Sequence, residues 1–193
     1  MPKKKNYRPI MALVALAVAA MVAATFTFTN VTYWSINATK PPISVDQGSD
    51  ATTPPSSDYI HVGNEYDPTT GKNITRISIV GFKGAATDFS SVLKLCNRYG
   101  SGPMQVRLVW VGLVGSTPYT SYIRAFYAKA PGGQKVGFEG STTHSSAGPY
   151  TIAPGNCIDI GAHVAIDANL PDSAANGRTI LGTYQIDIEI SLS

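Results

Sequence analysis

The residues able to do chemistry are few, and their spacing does not suit it. The 193-residue chain has three histidines, His61, His144 and His163, and two cysteines, Cys96 and Cys157. No histidine stands at a spacing that would set it beside a second metal ligand or a nucleophile. His163 falls on the outward parity of a strand-like run and His144 lies in the turn-like stretch STTHSSAG, so both read as surface residues. There is no Gly-x-Ser-x-Gly turn to present a serine nucleophile. Asp46, Asp50 and Asp58 lie too irregularly for a calcium loop, and GNEYDPTTG is a polar turn, not a phosphate cradle. Tyr119, Tyr122, Phe126 and Tyr127 offer either a sugar-binding face or core and cross-strand aromatic pairs, and the packing role is the favoured reading. The chain therefore reads as a non-enzyme, with no catalytic residues, no metal site and no cofactor.

The cysteines carry the one covalent expectation. In an exported protein the default for two cysteines is a disulfide, and a Cys96–Cys157 bond closing about sixty residues would stabilise the fold by ~4 kcal/mol in the chain-entropy picture. Export is suggested by the N-terminus. Lys3, Lys4, Lys5 and Arg8 form a basic segment, Ile10 to Ala24 is apolar without a break, and Val22-Ala23-Ala24 supplies small residues for a signal peptidase. The apolar run is shorter than the ~20 residues that span a bilayer, although Phe26 and Phe28 would extend it if it were retained as an anchor. Cleavage near Thr25 is the expectation, with no membrane attachment afterwards. The leader holds four of the 15 basic residues, leaving 11 against 12 acidic ones in the remainder. No basic patch is left to argue for nucleic acid. Three sequons, at Asn30, Asn37 and Asn73, are possible N-glycan sites in an exported chain.

The elements that would position these residues are strands. DYIHVGNEY and NITRISIVGF flank a polar turn, and MQVRLVWVGLVG, TSYIRAFYAKA and VGFEGSTT follow. CIDIGAHVAIDANL puts Ile158, Ile160, Ala162, Val164 and Ile166 on one face. TYQIDIEISLS alternates best, with Tyr184, Ile186, Ile188, Ile190 and Leu192 inward and Gln185, Asp187 and Glu189 outward, the period-two signature of a half-buried antiparallel strand. One segment reads otherwise. In TDFSSVLKLCNRYG, Thr87 or Asp88 is a candidate N-cap, Phe89, Val92, Leu93 and Cys96 fall at helical spacing, and Gly100 is a stop. The expected fold is all-β, a jelly-roll-like or immunoglobulin-like antiparallel β-sandwich with one short helix. The organisation reads as a signal peptide (1–24), a separate N-terminal strand (25–37), a Pro/Ser/Thr-rich tether (38–57) and the sandwich (58–193).

The separate strand needs a destination. TFTFTNVTYWSIN is strongly strand-forming, about 40 Å long when extended at ~3.3 Å per residue, and apolar on both parities. Phe26, Phe28, Trp34 and Ile36 share one face, Val31 and Tyr33 the other, so either both faces are buried or the strand shifts register near Asn30. Such a strand either completes its own sandwich or enters the groove of another subunit as a donor strand. A donor covers a neighbour's open sheet edge, and a head-to-tail contact that does not close builds a filament.

The layout resembles the archaeal bundling pili and the related TasA/camelysin biofilm fibre proteins. The resemblance rests on a leader ending in small residues, the strand TFTFTNVTYWSINATKPPI directly after it, the middle segment DFSSVLKLCNRYG and the late YTIAPGNCIDIGAHVAID. It spans most of the chain and consists of loose patterns. It implies a jelly-roll subunit of an extracellular filament at the cell surface. Its polymerising donor strand would include Thr25, Phe26, Thr27, Phe28, Val31, Tyr33, Trp34 and Ile36, and its partners would be identical subunits and neighbouring filaments in bundles. The disulfide is not part of the resemblance. The alternative is a secreted or membrane-anchored monomeric β-sandwich that binds carbohydrate or a cell surface and keeps its N-terminal strand in cis.

Overall fold

A computed structural model describes residues 43–67 and 72–192. Within them lie eleven strands: β1 (Ile43–Gln47), β2 (Ile60–Asp67), β3 (Lys72–Ile79), β4 (Ala86–Asn97), β5 (Met104–Ser116), β6 (Ile123–Lys129), β7 (Lys135–Glu139), β8 (Thr142–His144), β9 (Ser146–Ile152), β10 (Cys157–Ile166) and β11 (Gly182–Leu192). The described helical segments are three-residue 3-10 turns. The chain is an all-β antiparallel sandwich.

One layer is a six-stranded sheet in the order β1-β4-β10-β6-β7-β8. The other is the three-stranded sheet β11-β5-β9, and the separate hairpin β2-β3 is tied to β1 by hydrogen bonds from Gln47 to the Val62 carbonyl oxygen and from Asn64 to the Val45 carbonyl oxygen. Their inner faces supply one core. Leu93 and Leu95 of β4, Ile160 and Ala162 of β10 and Val136 of β7 meet Met104, Val106 and Leu108 of β5 and Ile152 of β9, with Ile60 of the hairpin closing one side. β10 and β11 follow the alternation read from their sequences. In β10 the inward residues Ile160, Ala162, Val164 and Ile166 are buried, because this strand lies inside the six-stranded sheet with β4 on one side and β6 on the other.

The expected short helix does not form. Residues 86–97 are the long strand β4, paired with both β1 and β10. The helical spacing of Phe89, Val92, Leu93 and Cys96 has another cause. The β4–β10 register shifts between Leu93↔Ile160 and Phe89↔Ala162, so Ser90 to Val92 bulge opposite Gly161 alone. The bulge turns Val92 toward the core out of alternation. Cys96 is hidden for a different reason, its bond to Cys157. A Cβ on Gly161 would lie 2.4 Å from the carbonyl oxygen of Phe89, so only glycine fits opposite the bulge.

The stretch read as a tether is also partly built into the sheet. Ile43 to Gln47 pairs with β4, with Ile43 buried. Beyond it, Gly48 presses on Ser91, where a Cβ would meet the Ser91 carbonyl oxygen at 2.1 Å. Asp50 accepts hydrogen bonds from the backbone amides of Ser90 (2.6 Å) and Ser91 (3.0 Å), satisfying donors that the bulge takes out of the ladder. Residues chosen by loop chemistry thus brace an irregular strand.

Candidate functional site

The least finished part of the sandwich is the edge formed by β11. This strand pairs with β5 along its length, from Gly182↔Ser116 to Leu192↔Met104, and is the edge of its sheet among the described residues. Coverage falls toward that edge. On β5, Val106 and Leu108 are 0 % and 2 % exposed, whereas their partners on β11, Ile190 and Ile188, are 41 % exposed and half-buried respectively. Ile190 stands opposite Val106 in the register, and on its outer side β11 has no neighbouring strand among the described residues. Further along the edge, Tyr184 stacks on Trp110 (5.5 Å between ring centroids) and on Phe126 (5.3 Å), with Phe138 at 5.3 Å. All four rings are half-buried. Burial raises the Tyr184 phenol above its ordinary pKa. Unpaired main-chain groups, aliphatic side chains open on one side and flat aromatic surface are what an added strand uses: ladder hydrogen bonds and pockets for alternate side chains.

The histidines occupy a different place, the outer face of the six-stranded sheet. Register places Asp88, His163, Tyr127, Gly137 and His144 in a single row across β4, β10, β6, β7 and β8. His163 lies flat on Tyr127, centroids 4.6 Å apart and 10° between planes. Its Nδ1 is 3.1 Å from Asp88 Oδ1, an ion-pair distance off the line of a good hydrogen bond. Asp88 also takes Lys129 at 3.0 Å, and the His163 and Lys129 contacts together hold its carboxyl below the usual range. Lys135 stands over the Tyr127 ring at 4.4 Å and pairs with Glu139 at 2.6 Å. The His144 ring meets Tyr127 edge-on. Gly137 makes this possible: at φ +142°, a Cβ there would sit 2.8 Å from the Tyr127 Cβ. His163 is therefore not the exposed residue its parity suggests, because its ring, 13 % exposed, is tucked against Tyr127. Sequence reading missed this row, since its members come from five strands and meet only through register.

The residues singled out from sequence are distributed as follows. Cys96 and Cys157 are bonded within the chain and stand directly opposite each other on β4 and β10. The bond joins neighbouring strands of one sheet. Asn73 lies on β3 of the hairpin. The donor-strand residues Thr25, Phe26, Thr27, Phe28, Val31, Tyr33, Trp34 and Ile36, and the sequons at Asn30 and Asn37, lie outside the described residues. Asp46 pairs with Arg98 at 2.5 Å and Asp50 serves the bulge, so neither carboxylate is aimed at a shared cation position. Tyr119, Tyr122 and Phe126 pack on the small inner cluster around Val164 and Leu170, while Tyr127 points to the opposite face of its sheet. The four aromatics form no common platform.

No known family matches this sequence, and no curated protein matches it.

Proposed function

We propose that the chain is a structural subunit of an extracellular filament, and that residues 25–36 of one subunit complete the sandwich of the next along β11. The observation that carries this reading is the half-covered inner face of β11, with Ile190 41 % exposed beside a strand edge that is unpaired among the described residues. The chain carries a strand-forming segment of matching character outside the sandwich, with Phe26, Phe28, Trp34 and Ile36 on one parity. The leader-like N-terminus supports export, and the Cys96–Cys157 bond suits an oxidising compartment. The six-on-three antiparallel arrangement agrees with a jelly-roll-like subunit lacking one strand. Asn30, Asn37 and Asn73 would then be glycan acceptors on the exported fibre.

The test is electron microscopy of protein expressed without residues 1–24, with and without residues 25–36. Filaments from the longer form, monomers from the shorter one, and restored solubility without filaments on adding a synthetic 25–36 peptide are the expected results. A longer form that remains a stable monomer refutes the reading and favours the monomeric binding module.

A further inference from the structure

The positions of the strand ends dictate how successive subunits must meet, given the filament reading above. One end of the sandwich collects Ile43, the disulfide, and the last residues of β11. Ile43 pairs with Asn97, Cys96 with Cys157, Asn97 donates a side-chain hydrogen bond to the Ile152 carbonyl oxygen, Ile152 pairs with Met104, and Met104 with Leu192. The opposite end holds the start of β11, where Gly182 pairs with Ser116 and Thr117 Oγ1 donates to the Leu181 carbonyl oxygen. The chain enters β1 at the disulfide end, and upstream of that point in the sequence is the segment 25–36. Only residues 37–42 lie between it and β1, a reach of at most roughly 20 Å. The donor's own body must abut the subunit it fills.

The apolar surface is distributed unevenly between these ends. Val111, Leu113, Val114 and Ile180 are 46–67 % exposed and lie at the end away from the disulfide, against Tyr99 at the disulfide end. β9 stops pairing at Val109, leaving the last part of β5 without a partner on that side among the described residues. Register shifts against β11 throw Val111 and Val114 out of alternation. Symmetry then decides the direction of entry. If a donor leaving the disulfide end entered its neighbour at the same end, the two disulfide ends would face each other, the arrangement that a closed two-fold dimer uses. Entry at the opposite end repeats head to tail, as a filament requires, and that end carries Val111, Leu113, Val114 and Ile180.

We infer that the disulfide end of one subunit seats on the Val111–Leu113–Val114–Ile180 end of the next, and that its residues 25–36 run antiparallel to β11. Ile36 then enters near Gly182 and Thr25 lies near the end of β11. The segment's twelve residues match the eleven of β11. Phe28 falls opposite the exposed Ile190, and Trp34 opposite Tyr184, beside the half-buried rings of Trp110 and Phe126.

Cysteine pairs on the solvent face, where the core is untouched, test the direction. Thr27→Cys with Ser191→Cys brings the thiols together in the antiparallel arrangement. Thr27→Cys with Gln185→Cys does so in the parallel one. After mild oxidation of assembled protein, the first pair is expected to give a ladder of covalent multimers on a non-reducing gel and the second only monomer. A ladder from the second pair, or from neither pair while filaments are visible, overturns the inference and leaves the filament reading standing. Absence of any filament from the unmodified chain overturns both. For the end contact, Val114→Asp with Ile180→Asp should cut sedimentable polymer at least tenfold with an unchanged melting temperature. Wild-type polymer yield from that variant would refute the contact.

Discussion

Ile190→Asp separates the stability of the subunit from the stability of the polymer. In the single subunit, Ile190 faces inward from β11 but is 41 % exposed. A carboxylate there keeps much of its hydration, since the side chain can lean out past the open edge. The loss to the isolated fold is set by the part of Ile190 already buried, about 1–2 kcal/mol of the ~1.5–3 kcal/mol for a whole isoleucine. In the polymer the same site would be covered by Phe28 of the neighbour. The wild type would gain the remainder of the isoleucine burial, about 1 kcal/mol per contact, and the variant would instead have to dehydrate a charge at an effective cost of several kcal/mol. The difference between the two, at least ~4 kcal/mol per junction, weakens each junction by about a thousandfold. The expected outcome is a folded, soluble monomer with a slightly lowered denaturation midpoint and no filaments at concentrations where the wild type polymerises. Circular dichroism melts, size-exclusion chromatography and electron microscopy on one preparation decide it. Filaments of Ile190→Asp at wild-type yield would show that the β11 inner face is not the acceptor. Wholesale unfolding would show that the face is already closed in the monomer.

Three further outcomes follow from the described core. Replacing both Cys96 and Cys157 by serine removes a link across 61 positions and should lower unfolding stability by about 2–4 kcal/mol, read from guanidinium midpoints; a loss below ~1 kcal/mol would mean that the β4–β10 ladder alone fixes this end. Gly137→Ala should destabilise by about 1–3 kcal/mol, since its φ is +142° and a Cβ would lie 2.2 Å from the Phe126 carbonyl oxygen; an unchanged melting temperature would refute the constraint. Asp167, hydrogen-bonded by the Asn169 amide and paired with Arg124, has its carboxyl held below the ordinary range by those contacts in that order. A lowered folded pKa stabilises the fold above the unfolded value near ~3.9 and loses that contribution as pH falls through the folded value. Asp167→Asn should therefore be less stable than wild type at pH 7, with the difference closing in acid; a gap that does not narrow would rule out the linkage.

The amino-acid order alone determines the all-β class, because period-two alternation in TYQIDIEISLS and CIDIGAHVAID leaves each strand one face to bury. It also makes the Cys96–Cys157 bond an expectation, since the chain has no other cysteine. Local spacing is the wrong guide for β4, where a bulge braced by Asp50 and a cross-strand disulfide bury residues that alternation would leave outside. It is equally the wrong guide for Ile43 to Gln47, whose Pro- and Ser-rich surroundings hide a strand that exists only because β4 has an edge to pair with. The row from Asp88 to His144 and the open edge at Ile190 are invisible along the chain for one physical reason. Each depends on which strands become neighbours and in what register, and those pairings join residues as far apart as Asp88 and His163 or Val106 and Ile190, through main-chain groups that every residue carries.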